Sequence, residues 1–337
     1  MKEVTIYDIA KHLNISATTV SRGLKDHPSI NKKTKKKIVD IAKELGYRSN
    51  TFASSLRSKR THTIGIIVPR LNSHFMSAAI AGMENVANEE GYHLLISQSL
   101  ESTKKEIDNA HTMFTNRVDG LIASLASDTE NNAHFEAFVN KNVPVIFFDR
   151  VFDNDQSTGI VIDNLKAGYE VTKHLLQQGC KRIMHLAGNT RRNVYEERLK
   201  GYKRALKEYH IPFDESLVQT SNLSEQAGTQ AGEYILNMQH RPDGIFAAND
   251  ICAVFCMLTL LKAGIRVPQD IAIAGFNNDP ISQVVQPNLT TISYPGYEMG
   301  KAAASCLIDH LSGRSDMKTT NKIILSSELI IRGSSLK

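Results

Sequence analysis

At 337 residues the chain exceeds what one hydrophobic core ordinarily organises, so two or more domains are expected. Its 41% hydrophobic content supports folding, no apolar run approaches the roughly 20 residues of a membrane-spanning helix, and the first residues carry no secretory pattern, so the cytoplasm is the expected compartment. The net charge of +5 is unevenly placed: residues 1–60 hold 14 Lys/Arg against 5 Asp/Glu and the rest hold 26 against 30, which assigns a polyanion partner to the first sixty residues alone.

In chain order, Ile6, Ile9, Ala10 and Leu13 come first, spaced i, i+3, i+4, i+7 as one apolar helical stripe. Asn14 tolerates the left-handed backbone of a tight turn, and Ser16 is a good N-cap for a second short helix over 17–24 that buries Val20 and Leu24. Two short helices joined by a tight turn make a helix-turn-helix. Asn31 then caps a third helix with Ile38, Ile41, Ala42 and Leu45 inward, and Gly46 stops it. The exposed face of the second helix carries Ala17, Thr18, Ser21 and Arg22. Short side chains near a helix N-terminus permit close entry to a DNA major groove, where Thr18 and Arg22 reach base edges and Thr19 and Ser21 reach phosphates. Lys32, Lys33, Lys35, Lys36 and Lys37 add charge around the third helix, for phosphate contact or for solubility.

Asn50 reads as a further N-cap, followed by an apolar stripe of Phe52, Ala53 and Leu56 and by the basic Arg57, Lys59 and Arg60. A helix of fewer than about 12 residues is marginal alone in water. Residues 5–10, 16–22 and 44–50, with Ala53 and Leu56, closely resemble the start of LacI/GalR-family repressors. The resemblance implies a helix-turn-helix headpiece over 1–48, a hinge helix and linker over 49–60, and an effector-binding and dimerisation domain over 61–337. It implies DNA contacts at Thr5, Tyr7, Ser16, Ala17, Thr18, Thr19, Ser21, Arg22, Asn31, Thr34, Tyr47, Asn50, Ala53 and Leu56. By the same resemblance the hinge helix enters the minor groove and Leu56 wedges between bases.

From Thr61 onward strand and helix patterns alternate. Buried-strand signals stand at 64–68, 93–96, 120–122, 143–149, 182–186, 244–247 and 271–276. Two runs of such units make an α/β domain of two doubly wound parallel-sheet subdomains, about 61–161 with 292–325 and about 162–291 with 326–337. Ligands of such sheets bind outside the carboxyl ends of the strands. There the sequence places Phe75, Asp149-Arg150, Asp163-Asn164, Asn249-Asp250 and Asn277-Asn278-Asp279, with Arg198 near a helix start. Amides, carboxylates and a guanidinium suit a hydroxyl-rich, sugar-like ligand. No GxGxxG or P-loop directs the reading to a nucleotide.

Residues 118–122, Asp149, Arg198-x-x-Gly201-Tyr202, Asn249-Asp250, Val267-Pro268-x-Asp270-Ile271 and 289–292 resemble the effector domains of the same family, which share the fold of periplasmic sugar-binding proteins. Carried over, the effector contacts are Phe75, Asp149, Arg198, Asn249 and Asn277, with Asp250 open to the alternative of capping its helix. Asn277 stands where several relatives have Asp, and Leu223 where some have an aromatic platform, which leaves Phe75 or Tyr195 for stacking.

Cys180, Cys252, Cys256 and Cys306 form no CxxC pair and the histidines no HExxH, so the cysteines read as small buried hydrophobes, and neither metal nor cofactor is expected. The tail is too short for the leucine-heptad helix that makes some relatives tetrameric, so a homodimer is expected. The family's dimer surface falls around 77–87, where Ala78, Ala79, Ala81 and Gly82 suit close helix packing or ordinary core burial alike. The chain is thus expected to be a DNA-binding transcriptional repressor whose operator affinity is controlled allosterically by a sugar-like effector. The alternatives are an activator or co-repressor-dependent factor sensing a nucleobase, a plain sugar-binding protein, and an α/β enzyme with an accessory DNA module. Against the enzyme stands the lack of a GxSxG elbow, a cofactor fingerprint or a metal set.

Overall fold

The computed structural model describes residues 4–47, 60–152 and 158–337, with the backbone alone at Lys318. It separates into a small unit, residues 1–61, and a large unit, residues 62–337.

The small unit contains α1 (Ile6–Leu13), α2 (Ala17–Leu24) and α3 (Lys32–Glu44). Each helix start is chemically marked. The Thr5 amide and hydroxyl both donate to the Asp8 carboxylate, at 2.8 and 2.7 Å. Ser16 Oγ accepts from the Thr19 amide and Asn31 Oδ1 from the Thr34 amide, which satisfies amides that have no partner within the helix. Asn14 adopts the left-handed conformation (φ 52°) between α1 and α2. Ile9, Val20 and Ile38 are fully buried at the centre, with Ala10 and Ala42 beside them and Ile6, Leu13, Leu24, Ile41 and Leu45 half-buried around them. Each such aliphatic burial contributes about 1.5–3 kcal/mol.

The large unit begins with β1 (Thr63–Val68), α4 (His74–Glu89), β2 (His93–Gln98), α5 (Thr103–Thr115), β3 (Gly120–Ala123), α6 (Glu136–Val139), β4 (Val145–Phe148) and β5 (Thr158–Ile162). It continues with α7 (Asn164–Gln177), β6 (Ile183–Ala187), α8 (Asn193–Glu208), β7 (Val218–Thr220), α9 (Glu225–Leu236), β8 (Gly244–Ala247), α10 (Asp250–Lys262) and β9 (Ala272–Ala274). It closes with α11 (Ile281–Val284), β10 (Thr291–Ile292), α12 (Gly296–Leu311), β11 (Lys322–Leu325) and β12 (Leu329–Ile330). One sheet has the order β11-β5-β4-β3-β1-β2 and the other β7-β6-β8-β9. Every pair in both is parallel. A short antiparallel ladder joins β10 to β12. The two doubly wound parallel sheets expected from the strand–helix alternation are therefore present. Among the described residues no helix is long and apolar enough to cross a membrane.

Three helix pairs pack closely enough to need small residues. A side-chain carbon on Gly82 would collide with the Tyr297 carbonyl, and one on Gly300 with the Ala79 carbonyl, which locks α4 onto α12. Gly168 and Gly201 play the same part between α7 and α8, and Gly228 and Gly232 between α9 and α10. Ala79 and Gly82 thus face a helix of their own chain. Of the stripe offered as a dimer surface, Ala78 is half-buried and Ala81 alone is exposed. Cys252 and Cys256 are buried at the α9–α10 contact, where burial pushes the Cys252 thiol up to about 12 and the Cys256 thiol higher, so both stay protonated.

His185 sits inside the second sheet with no exposure. Its ring stacks on Phe246 (centroids 4.4 Å apart) and on Tyr202 (5.3 Å), and its Nδ1–H donates to the Phe246 carbonyl at 2.9 Å. Burial pulls its pKa down to about 4, while the bond to Phe246 pulls it up and Arg198 lowers it. The unfolded chain takes up this proton near pH 6.5 and the native protein does not, so this contribution to stability is present above about pH 6.5 and is lost as pH falls toward 4. His185→Phe is expected to remove that slope. Urea unfolding of both proteins between pH 7 and 4 should show their stability difference changing by about 3 kcal/mol; parallel curves would refute it.

Candidate nucleic-acid interface and ligand cleft

In the small unit, Thr5, Tyr7, Ser16, Thr18, Arg22 and Asn31 are exposed, Tyr7 by 71%, and Ala17, Thr19, Ser21, Thr34 and Tyr47 are half-buried. The Ser16 and Thr19 hydroxyls lie 2.8 Å apart and are committed to each other and to the cap. Among the described residues, Thr18 and Arg22 have no such side-chain partner, so α2 presents a hydroxyl from its first turn and a guanidinium from its last for outside contact. The lysine run divides. Lys35 Nζ is 2.6 Å from Asp26 Oδ1 and also donates to the Asp26 carbonyl, which ties α3 to the preceding loop. Lys32, Lys33, Lys36 and Lys37 are exposed. Asn50, Ala53 and Leu56, with the rest of residues 49–59 of the expected hinge, lie outside the described residues.

In the large unit, the carboxyl ends of strands from both sheets meet at a polar seam. Asp149 follows β4 in a left-handed conformation (φ 58°), a backbone state that costs a non-glycine residue about 1–3 kcal/mol and is characteristic of functional sites. Its Oδ1 accepts from the Tyr294 hydroxyl at 2.6 Å, and its Oδ2 lies 3.4 Å from Ser124 Oγ and 3.9 Å from Arg150 Nε. Burial raises its pKa, opposed by Arg150, Tyr294, Arg198 and Ser124. Tyr294 stacks on Phe75 at the start of α4, with centroids 4.3 Å apart, so one face of Phe75 is already covered.

Arg198 enters from α8. Gly201, one turn later, lets α8 lie against α7, and α7 supplies Asn164, whose Oδ1 accepts from Arg198 Nε at 2.9 Å. Arg198 Nη1 donates to the Ala248 carbonyl beyond β8 at 2.8 Å. The guanidinium rests 3.5 Å from the Phe276 ring centroid, a cation–π contact inside a buried site. Burial lowers its pKa, and Tyr294, Tyr195 and Asp149 oppose the shift.

The remaining sequence candidates divide between scaffold and seam. Asn249 is the N-cap of α10: Oδ1 accepts from the Cys252 amide at 2.8 Å and Nδ2 donates to the Leu223 carbonyl at 2.9 Å. Asp250 does not cap. It is fully buried, accepts from Thr291 Oγ1 at 2.6 Å and from the Asp279 amide at 2.7 Å, and burial pushes it up to about 7. Asn277 (φ 118°) donates through Nδ2 to Asp279 Oδ2 at 3.5 Å. Leu223 is buried and offers no platform. The structure therefore brings Phe75, Asp149 and Arg198 together around Tyr294. Tyr294 escaped the sequence reading because it lies two residues past a matched element and carries no periodic signal. Asn193 also escaped it: its Nδ2 donates to the Asp149 carbonyl at 3.1 Å, and its Oδ1 accepts from the Val151 amide at 3.0 Å.

Comparison with known proteins identifies both units. The family described as "Bacterial regulatory proteins, lacI family" matches residues 5–50, and "Periplasmic binding protein-like domain" matches residues 172–335. The chain is 31% identical to catabolite control protein A of Priestia megaterium, over 92% of this chain and 93% of that protein. It is 31% identical to the HTH-type transcriptional regulator DegA of Bacillus subtilis, over 98% of each. Its structure superposes on the Lac repressor dimer bound to operator and the anti-inducer ONPF with a TM-score of 0.87, at 25% identity over the whole of both chains.

Tyr294→Phe removes the closest donor to a buried carboxylate while keeping the ring. The variant is expected to lose about 1–3 kcal/mol of stability at pH 7, measured by urea unfolding. An unchanged midpoint would show that the seam does not depend on this hydrogen bond.

Proposed function

Because the chain belongs to the lacI family of bacterial regulatory proteins, a family of DNA-binding transcriptional regulators, we propose that it is a repressor that binds operator DNA as a homodimer under the control of a sugar-like effector. One observation carries this reading: a basic three-helix unit that leaves Thr18 and Arg22 open shares a chain with a buried polar seam built on Asp149, Tyr294 and Arg198. Helix α2 enters the major groove. Arg22 forks onto a guanine edge and Thr18 meets a neighbouring base, while Thr5, Tyr7, Ser16, Ala17, Thr19, Ser21, Asn31, Thr34 and Tyr47 hold the register on the backbone. Asn50, Ala53 and Leu56 extend the contact into the minor groove. Two headpieces in a dimer call for a near-palindromic operator.

The effector occupies the seam against Asp149 and Arg198, with Phe75, Asn249 and Asn277 at its margins. These groups bind the ligand rather than transform it, and the protein works in the cytoplasm. A ligand that prefers one spacing of the two sheets over another shifts the operator equilibrium by that preference, and a coupling of about 1–3 kcal/mol changes affinity roughly 5–150-fold. The matched Lac repressor structure, a dimer holding operator and a small molecule together, supports this arrangement.

A duplex selected from a random pool provides the assay. Arg22→Ala is expected to weaken binding to it by about 1–3 kcal/mol and to flatten base preference at one position, with effector binding unchanged. Arg198→Ala is expected to bind the same duplex normally and to lose release by the effector. A normal response in that variant would remove Arg198 from the effector site.

A further inference from the structure

The chain that leaves β9 is held in an unfavourable shape. Asn277 and Asn278 are successive non-glycine residues with positive φ (118° and 56°), a state that persists only where the surroundings enforce it. Directly before them stands Phe276, the fully buried ring on which the Arg198 guanidinium rests. Whatever fixes the two asparagines therefore also fixes the platform of Arg198. The backbone of this turn is anchored at three points. The Asn277 amide donates to the Ile292 carbonyl at 3.0 Å, the Asn278 amide to Thr291 Oγ1 at 3.2 Å and the Asp279 amide to Asp250 Oδ2 at 2.7 Å.

A side-chain anchor arrives from the end of the chain. Arg332 Nη2 donates to Asn278 Oδ1 at 2.7 Å, and its Nη1 donates to Ser282 Oγ at 3.0 Å and to the Leu289 carbonyl at 2.8 Å. Ser282 lies on α11 and Leu289 just ahead of β10, so one guanidinium ties together both ends of the excursion from 278 to 289. All three acceptors are neutral oxygens, and a charged donor makes stronger bonds to them than a neutral one. The planar fork of arginine meets several acceptors in fixed directions, which an ammonium group on a flexible stem does not.

The tail stays in place without this fork. Ser334 is fully buried: its amide donates to the Asn288 carbonyl, its hydroxyl donates to the Ile273 carbonyl and accepts from the Thr290 amide, and its carbonyl accepts from the Ile273 amide. Ser335 Oγ lies 2.6 Å from Thr290 Oγ1 and 2.7 Å from His174 Nε2, and the Arg332 amide donates to Thr290 Oγ1 at 2.8 Å. Backbone and serines thus hold the tail, and the Arg332 side chain is left to act on the turn.

We propose that Arg332 is a positioning residue for the effector response: it touches no effector, and through Asn278 it sets the turn that presents Asn277 and seats Phe276 beneath Arg198. This rests on the reading given under Proposed function and deepens it. Loss of the fork lets the turn relax from its positive φ values, and Arg198 loses the fixed ring that aims it.

Release of the selected duplex from full-length protein is titrated with glucose, galactose, cellobiose and ribose, and the sugar that releases it at the lowest concentration is used on the variants. Arg332→Gln is expected to need about 2- to 30-fold more of that sugar for half-release, with duplex affinity in its absence unchanged. Asn278→Gly removes the acceptor while suiting the left-handed backbone, and it is expected to shift the response in the same direction. Adding it to Arg332→Gln is expected to cause no further loss, because both variants delete one interaction. Arg332→Lys, which keeps the charge without the fork, is expected to fall between wild type and Arg332→Gln. A wild-type response in both single variants, shifts that add in the double variant, or weaker duplex binding without sugar overturns the proposal and leaves the repressor reading standing. Should Arg332→Gln fail to fold, Asn278→Gly alone decides: an unshifted response overturns the proposal. If no sugar of the panel releases the duplex from the wild-type protein, the sugar-controlled reading falls and this inference falls with it.

Discussion

The hydrogen bond from Tyr294 to Asp149 is the constraint on which the seam depends. Asp149 leaves β4 in a left-handed turn with its carboxylate out of water, an environment in which a bare charge is unfavourable by several kcal/mol. Tyr294 supplies the nearest donor from the segment joining β10 to α12, 145 residues away in the chain. The same ring stacks on Phe75 and meets Phe276 edge-on, and Phe276 in turn carries the Arg198 guanidinium. One side chain thereby couples the end of a strand in the first sheet to the arginine on α8.

Close helix packing explains how the arginine arrives. With a side chain at Gly168 or Gly201, α7 and α8 would stand further apart and Asn164 would no longer reach Arg198 Nε. The tight pairs α4–α12 and α9–α10 follow the same logic with other small residues, and they leave the cysteines of α10 as compact apolar filler. Interiors packed at crystal-like density transmit displacement rather than absorb it.

The two units also divide the electrostatics. The small unit carries the positive excess on exposed Lys32, Lys33, Lys36, Lys37 and Arg22, where phosphate attraction is long-ranged and salt-dependent. The large unit encloses Arg150, Arg192 and Arg198, which meet a carboxylate, a carbonyl, an amide or a ring. Arginine thus stands in two settings, exposed on α2 as Arg22 and enclosed in the seam as Arg198.

The small unit was legible in the sequence because its determinants are local. Ser16 and Asn31 cap amides three residues on, Asn14 adopts the left-handed turn within its own loop, and Ile9, Val20 and Ile38 meet through helical periodicity over short separations. The alternation of the large unit and the residues at its strand ends were legible for the same reason. Tertiary structure alone decided what those residues touch. β5 pairs with β11 from the far end of the chain, Asn249 is held by a cap and by the Leu223 carbonyl, and Ala79 and Gly82 face α12 of the same chain. Tyr294 with Asp149 and Glu101 with Arg150 are joined across 145 and 49 residues. A spacing rule describes neighbours within a helix turn or a strand, and it carries no information on which distant turn the folded chain brings alongside.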